Sequence, residues 1–297
     1  SSAALTFVNR YGVVPGRKCI VFTNNDEAYR AALALHKNGV DIMAIVDLRK
    51  QADGTLPLRA QEAGLRIIWN SAITEVKGHM KVKAVKVMAL NANASSVEGI
   101  AEHIPCDLIC SSGGWNPAVH LFSQSGGKLR FDANLATFVP EQSTQALRSV
   151  GACNGSFSLT ACIAQGLQGG IAAARDAGVK QEIAMHAPQV ENEKVAPLRS
   201  IWVVPSDKNI GGRKHFVDIQ NDVTVTDIRL AIQEGYSSAE HLKRYTTTGM
   251  GPDQGKTANI NAIAILAEDL GVDISTAGTT TFRPPYTPVT FGAIAGR

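Results

Sequence analysis

Residues 18–49, KCIVFTNNDEAYRAALALHKNGVDIMAIVDLR, decide the fold. Lys18 to Phe22 reads as a short buried strand, entered through the turn Pro15-Gly16. Asn25 or Asp26 is suited to cap a helix, and Glu27 favours its first turn. Ala28, Ala31, Ala32 and Leu35 recur at helical spacing, and Gly39 is placed to end the helix. A second apolar strand follows, with Asp47 near its end. Strand, tight turn, helix and a strand ending in an acid is the outline of a dinucleotide-binding βαβ unit. One part is missing: Thr23-Asn24-Asn25-Asp26 stands where G-x-G-x-x-G belongs. Those glycines let a pyrophosphate approach the backbone, whereas two Asn side chains and a carboxylate crowd and repel it. The sequence therefore predicts the fold but not tight NAD binding in this crevice. Asp47 reads either as a ribose ligand or, the stronger reading, as a solvated strand-end acid.

Outward from this unit the pattern stays α/β. Thr55 to Gly64 reads as a helix and Leu65 to Trp69 as a third strand. Ser71–Val76 and Val82–Leu90 alternate as an antiparallel pair joined at Lys77-Gly78, and Asn91 to Gly99 reads as a polar loop. Pro105 to Cys110 reads as a buried strand. Its Cys106 and Cys110 are either a metal pair or core residues, and alternation puts both on one face inside an apolar run, which favours the core. A short helix from Pro117 and two short strands, Leu129–Asp132 and Ala136–Val139, come next. Ala146 to Gly151 reads as a strand leading through Asn154-Gly155 into a long Ala/Gly-rich helix. Small residues at Ala161, Ala164, Gly169, Ala172 and Ala173 permit close packing on a sheet or a cofactor. The segment from Cys153 to Thr160 is a candidate anion site at that helix's N-terminus, or a plain turn.

Residues 181–213 read as a proline-bearing linker before a small helical module, 214–272. Thr224 with Asp227 opens one helix and Gly235 ends it. Ser237 with Glu240 makes a capping box for a second, and Asn259 to Leu270 forms a third, ended by Gly271. Between the last two lies RYTTTGMGPDQGKT, residues 244–257. It has no apolar periodicity, and cations stand at both ends. Arg244, Thr246, Thr247, Thr248 and Lys256 there make a candidate anion cradle facing the N-terminus of the next helix, or else a Gly-rich connection. The tail, 273–297, reads as extended by its prolines.

Composition narrows the function. In 297 residues the hydrophobic share is 44% and the charged share 19%, as in ordinary globular proteins. A net charge of +3 argues against nucleic acid or an anionic membrane as partner. No apolar run reaches the roughly 18–20 residues of a span, and the start has no signal-peptide pattern. Five cysteines without framework spacing point to reduced thiols and a cytoplasmic setting. No His, Cys or Lys shows a nucleophile or base pattern, so no catalytic or metal-ligating residue is assigned. His120 and His241 read as packing or surface residues.

Several segments carry a resemblance: FVNRYGVVPGR, TNNDEAYRAALALH, SGGWNPAVHLFSQSGGKLRFD, NGSFSLTACIAQG, FVDIQNDVTVTDIRLAIQEGY, HLKRYTTTGMGPDQGKT and TTTFRPPYTPVTFG. Together they resemble the alpha subunit of heterotetrameric sarcosine oxidase over almost the whole chain. Residues 10–178 look like the inserted nucleotide domain of two-dinucleotide flavoprotein reductases plus the closing segment of the larger domain. The opening segment with its own Gly fingerprint is absent, so the chain is expected to be a fragment or to need a partner. The implied fold is α/β: a Rossmann-like, disulfide-reductase-like region over 1–180, then an all-α module related to cluster-binding ferredoxin-like domains without the cysteines. The matching places hold Asp218, Gln220 and residues 252–256, so no iron–sulfur cluster is expected. The resemblance implies a structural NAD, its site incomplete here, lined by Ala152, Cys153, Ser158 and Thr160. It implies an FMN at the interface with the beta subunit, faced by the Arg244–Lys256 loop. FAD and folate would lie in absent parts of a complex with beta, gamma and delta subunits, and the tail would lead toward a folate-binding domain. A scaffold or relay module, or an NAD(P)-dependent flavoprotein reductase, are the alternatives. The last needs a redox Cys pair and glycines after the first strand.

Overall fold

The computed structural model describes residues 1–180, 187–207, 214–280, 282 and 287–296. The chain divides into two compact units. One is Ser1–Gly114 with Glu193–Ile210; the other is Trp115–Asn192 with Gly211–Arg297. The sequence reads 1–180 as a nucleotide-binding region and 181–213 as a linker. Residues 193–207 fold back onto the first unit.

The first unit begins with helix α1 (Ser2–Tyr11), followed by strand β1 (Lys18–Thr23), helix α2 (Glu27–Lys37), strand β2 (Asp41–Asp47), helix α3 (Thr55–Glu62) and strand β3 (Ile67–Ile68). An antiparallel sheet of β4 (Ser71–Gly78), β5 (Val82–Leu90) and β6 (Val97–Pro105) precedes β7 (Leu108–Ser112). The parallel sheet has the order β3-β2-β1-β7, with Cys19 opposite Ile42 on β2 and Leu108 on β7. Successive strand side chains point to opposite faces. Cys19, Val21, Ile45 and Cys110 therefore meet Tyr29, Ala32 and Leu35 of α2 on one side. Ile20, Ala44 and Val46 meet Val85, Val87 and Ile104 of the antiparallel sheet on the other.

Two expectations about the strands fail in this unit. Residues 97–105 are a paired strand, which takes in the end of the polar loop expected over 91–99. Their side chains are mostly exposed, so no apolar alternation marked them. Cys106 and Cys110 are both core residues but do not share a face. Pro105 ends β6 and the chain turns before β7, so Cys106 joins the core on one side of the sheet and Cys110 the other.

The second unit opens with the short helix α4 (His120–Gln124) and the hairpin β8 (Lys128–Asp132) and β9 (Thr137–Gln142). The strand expected over 146–151 is absent: residues 147–150 are irregular, and the backbone turns at Gly151, φ 67°. A 3₁₀ turn, Gly151–Asn154, leads to helix α5 (Leu159–Asp176). The C-terminal module starts with a hairpin absent from the sequence reading, β10 (Phe216–Asp218) and β11 (Val223–Thr224). Helices α6 (Val225–Gln233), α7 (Ala239–Thr246) and α8 (Asn259–Leu270) follow. The Thr224–Asp227 capping box forms as read, and Gly271 caps α8 in the left-handed region. The cap of α7 is Ser238, one residue beyond the expected Ser237. Ile228, Ala231, Leu242, Ile263 and Leu266 are buried in this unit. The tail contains one-turn helices α9 (Ile274–Ala277) and α10 (Phe291–Ile294). Its prolines 284 and 285 lie outside the described residues.

Candidate functional site

Three places bear on cofactor binding. The first is the crevice at the C-terminal ends of β1, β2 and β3, where open parallel sheets take their ligands. Here it is full of the chain's own polar groups. Asn25 Nδ2 donates to Asn24 Oδ1 (2.8 Å) and to the Ser112 carbonyl at the end of β7 (3.2 Å). Its Oδ1 accepts the Glu27 amide at the start of α2 (3.0 Å), the N–H a pyrophosphate would need. Asp47 is not a solvated acid. It is fully buried and accepts from Arg49 (Nη2, 2.7 Å) and from the Tyr29 hydroxyl (2.6 Å). The second arm of Arg49 reaches Asp26 Oδ1 at 2.6 Å. Burial opposes the Arg49 charge, and its bonds to Asp47 and Asp26 outweigh that, leaving its pKa raised. Burial, then the Asp47 charge, push the Tyr29 phenol up, so it stays a donor. Every strong group expected for ribose or phosphate is already paired, and the residues present do not fit a dinucleotide.

The second place is the turn before α5. Gly151 N–H donates to Gln165 Oε1 (2.8 Å), and Gln165 Nε2 donates to Ser156 Oγ (2.6 Å). Gly155, φ 84°, closes the turn where a Cβ would press on Val139 and Leu135. Ser158 caps the helix by accepting the Ala161 amide at 3.3 Å. Cys153 Sγ lies 3.1 Å from the Val150 carbonyl. Ala152 and Thr160 are exposed, and Leu159 is 61% exposed. No residue of α5 is buried among the described residues. A Gly turn with helix amides, beside unburied apolar surface, fits one wall of a dinucleotide site.

The third place is the 244–257 segment. Arg244 and Thr246 belong to the last turn of α7, not to the loop. Arg244 is exposed and pairs with Glu240 at 3.3 Å. Thr246 Oγ1 donates to the Leu242 carbonyl (2.8 Å) and lies 2.8 Å from Thr248 Oγ1, which is buried. Thr247 is exposed in the left-handed region, φ 63°. The free cradle of amides does not form, because two carboxylates take its donors. Asp218 accepts from Gly249, Gln220 and Asn221 amides (2.8, 2.9 and 3.3 Å). Asp253 accepts from Gly255 and Thr257 amides and from the Thr257 hydroxyl (3.0, 3.2 and 2.6 Å). Burial opposes the Asp253 charge, but these bonds outweigh it and hold the carboxyl below its usual range. Lys256 is half-buried, its Nζ 3.4 Å from the Asp253 carbonyl, and its own carbonyl accepts from Asn116. His120, buried nearby, has its pKa pushed down to about 4 by burial and then by Lys256, with Asp253 opposing. Arg244 and Thr247 are exposed and Lys256 is half-buried, in a segment where Asp218 and Asp253 already hold the Gly249, Gly255 and Thr257 amides.

Among the described residues no cluster of three or more His, Cys, Asp or Glu is gathered for a metal, and no helix is long and apolar enough to cross a membrane. Sequence reasoning missed Tyr29, Arg49 and Gln165. Tyr29 meets Asp47 and Arg49 meets Asp26 across about twenty residues of sequence, and Gln165 reaches back over the irregular turn to Gly151, so no spacing rule reports them.

Similarity to known proteins adds the family. Residues 212–297 match the sarcosine oxidase A3 domain. The sarcosine oxidase subunit alpha of Rhizobium meliloti (strain 1021) is 38% identical over 302 residues, covering 100% of this chain and 28% of that protein. Its counterpart from Corynebacterium sp. (strain P-1) is 35% identical over 301 residues, 100% of this chain and 31% of that protein. The chain thus spans about a third or less of the curated relatives it matches. Among solved structures, L-proline dehydrogenase from P. horikoshii aligns with a TM-score of 0.64 at 19% identity, over 99% of this chain and 53% of that chain, a likeness of fold alone. Along its whole length the chain is similar to a segment of sarcosine oxidase alpha subunits, and its residues 212–297 match the sarcosine oxidase A3 domain.

Proposed function

We propose that the chain works as part of the alpha subunit of a tetrameric sarcosine oxidase, a cytoplasmic assembly with beta, gamma and delta subunits. The whole enzyme would turn sarcosine, oxygen and tetrahydrofolate into glycine, hydrogen peroxide and methylene-tetrahydrofolate. The chain would contribute cofactor-facing surfaces rather than amine-oxidising residues and be inactive alone. The observation that carries the reading is homology to two such alpha subunits over 100% of the chain, ending in the A3 domain. The turn with Ala152, Cys153, Ser158 and Thr160 would form one wall of a structural NAD site. Arg244, Thr247 and Lys256 would meet the phosphoryl end of an FMN shared with the beta subunit, while Thr246 and Thr248 hold the α7 terminus in shape. FMN supplies the electron-transfer chemistry when bound. The residues here would hold it and offset its charge.

The test is to combine the chain with a beta subunit and read the flavin band near about 450 nm. Arg244→Ala and Lys256→Ala should each lower FMN retention several-fold. Unchanged retention would remove the FMN role. A second reading, a scaffold without a cofactor of its own, is favoured by one observation: Asp218 and Asp253 already use the loop's amides. It expects no flavin in the complex and loss of A3 folding in Asp253→Ala.

A further inference from the structure

The segment after residue 192 crosses the mouth of the parallel-sheet crevice and bonds to each element that a nucleotide would touch. Glu193 pairs with Arg30 of α2 at 2.6 Å. The Lys194 carbonyl accepts the Thr55 amide at the start of α3 (2.8 Å). The Ala196 amide donates to Asp26 Oδ2 (2.8 Å), in the turn after β1. The Arg199 amide donates to the Asn24 carbonyl (3.2 Å), and its Nη1 donates to the Leu48 carbonyl after β2 (2.7 Å) and to Asn70 Oδ1 after β3 (2.9 Å). Ile201 and Val204 pack on Leu48, Ala72 and Leu90, and Lys86 of β5 pairs with Asp207. Gly54 completes the fit: a Cβ there would overlap the Asp26 carboxylate and crowd the Ala196 amide.

We infer that residues 193–199 are the permanent occupant of the dinucleotide crevice, so that this βαβ unit is an internal clamp and takes no nucleotide. The backbone N–H of Ala196 stands against Asp26 in the turn where a pyrophosphate would be bound, and Asp26 is an anion held in place by Arg49. A phosphate entering would displace a buried hydrogen bond and meet a fixed carboxylate, and both cost free energy. The clamp binds the segment leading to the A3 domain without any cofactor, and it is independent of the FMN reading.

Hydrogen exchange on the whole chain tests this, with NAD⁺, NADH and ADP each added at millimolar concentration. The amides of Thr55, Ala196 and Arg199 should exchange at least about 100-fold slower than unstructured amides, as expected for bonded interior groups. Their rates should not change with any nucleotide. Protection confined to residues 151–161 would report binding at the α5 turn and leave the clamp standing. Altered exchange at residues 24–27 or 194–199 would overturn it, whether slowed by a bound ligand or accelerated by displacement. Ala196→Pro removes the donated hydrogen, and Arg199→Met removes both guanidinium bonds. Each should speed proteolytic cutting within 193–207 by tenfold or more while the sheet stays folded. Cutting at the wild-type rate would also overturn the clamp.

Discussion

The turn before α2 and the turn before α5 both bring a chain onto a helix N-terminus. In the first, carboxylate, amide and guanidinium groups fill the space in front of the helix, and residues 193–199 cover it. In the second, the glycines and one serine leave Ala152 and Thr160 exposed, and the helix behind them buries no residue. A helix N-terminus is only a field and a set of amides. Whether it serves a ligand depends on whether the chain itself has already answered those amides.

The contrast can be broken most directly at Arg49. Arg49→Met leaves Asp26 and Asp47 buried without their cation, and removing one member of a buried ionic set costs about 3–5 kcal/mol. Urea denaturation followed by the Trp69 environment should show that loss, since Trp69 stacks on Tyr29 in the same unit. A loss below about 1 kcal/mol would mean the set is solvated, as surface pairs are.

Lowering the pH separates the two units. His120 in the second unit has a folded pKa near 4, below its ordinary 6.5. Between those values the unfolded chain binds the extra proton, so this unit loses stability as pH falls from about 6.5 toward 4, by up to about 3 kcal/mol. Arg49, raised above its already high value, does not titrate in that window. Melting curves at several pH values should show the slope, and His120→Phe should flatten it.

The smallest expected effect is at the open turn. Gln165→Ala removes the partner of the Gly151 amide and of Ser156 Oγ. Gly151 is buried while Ser156 is half-buried, so water replaces the lost bonds only in part, and the cost should be about 1–2 kcal/mol. If NAD binds at this turn, calorimetric titration should show weaker binding in the variant because the turn loses its brace. Unchanged affinity would separate the brace from the site.

Much of the first unit could be read from its residues. β1, α2 and β2 follow from apolar runs, helical spacing and a left-handed glycine, all local signals. In the A3 module, Thr224 with Asp227, and Gly271 after Leu270, mark helix ends correctly, because capping is chemistry between near neighbours. The failures share another cause. Residues 97–105 form a strand because β5 offers an edge, not because VEGIAEHIP alternates. Residues 146–150 have a strand-like look but pair with no strand among the described residues. The threonines, glycines and cations of 244–257 suggested open donors; Asp218, some thirty residues earlier, answers Gly249.

By itself the sequence determined the α/β order, the helix ends, the missing glycine fingerprint and the family likeness, since each is written in neighbouring residues or in a long shared pattern. Only the tertiary structure decided which of the helix N-termini stay open. Asp26, Asp47 and Arg49 close one of them through partners that arrive from residues 29 and 196, and a charge's worth depends on what surrounds it when water is excluded.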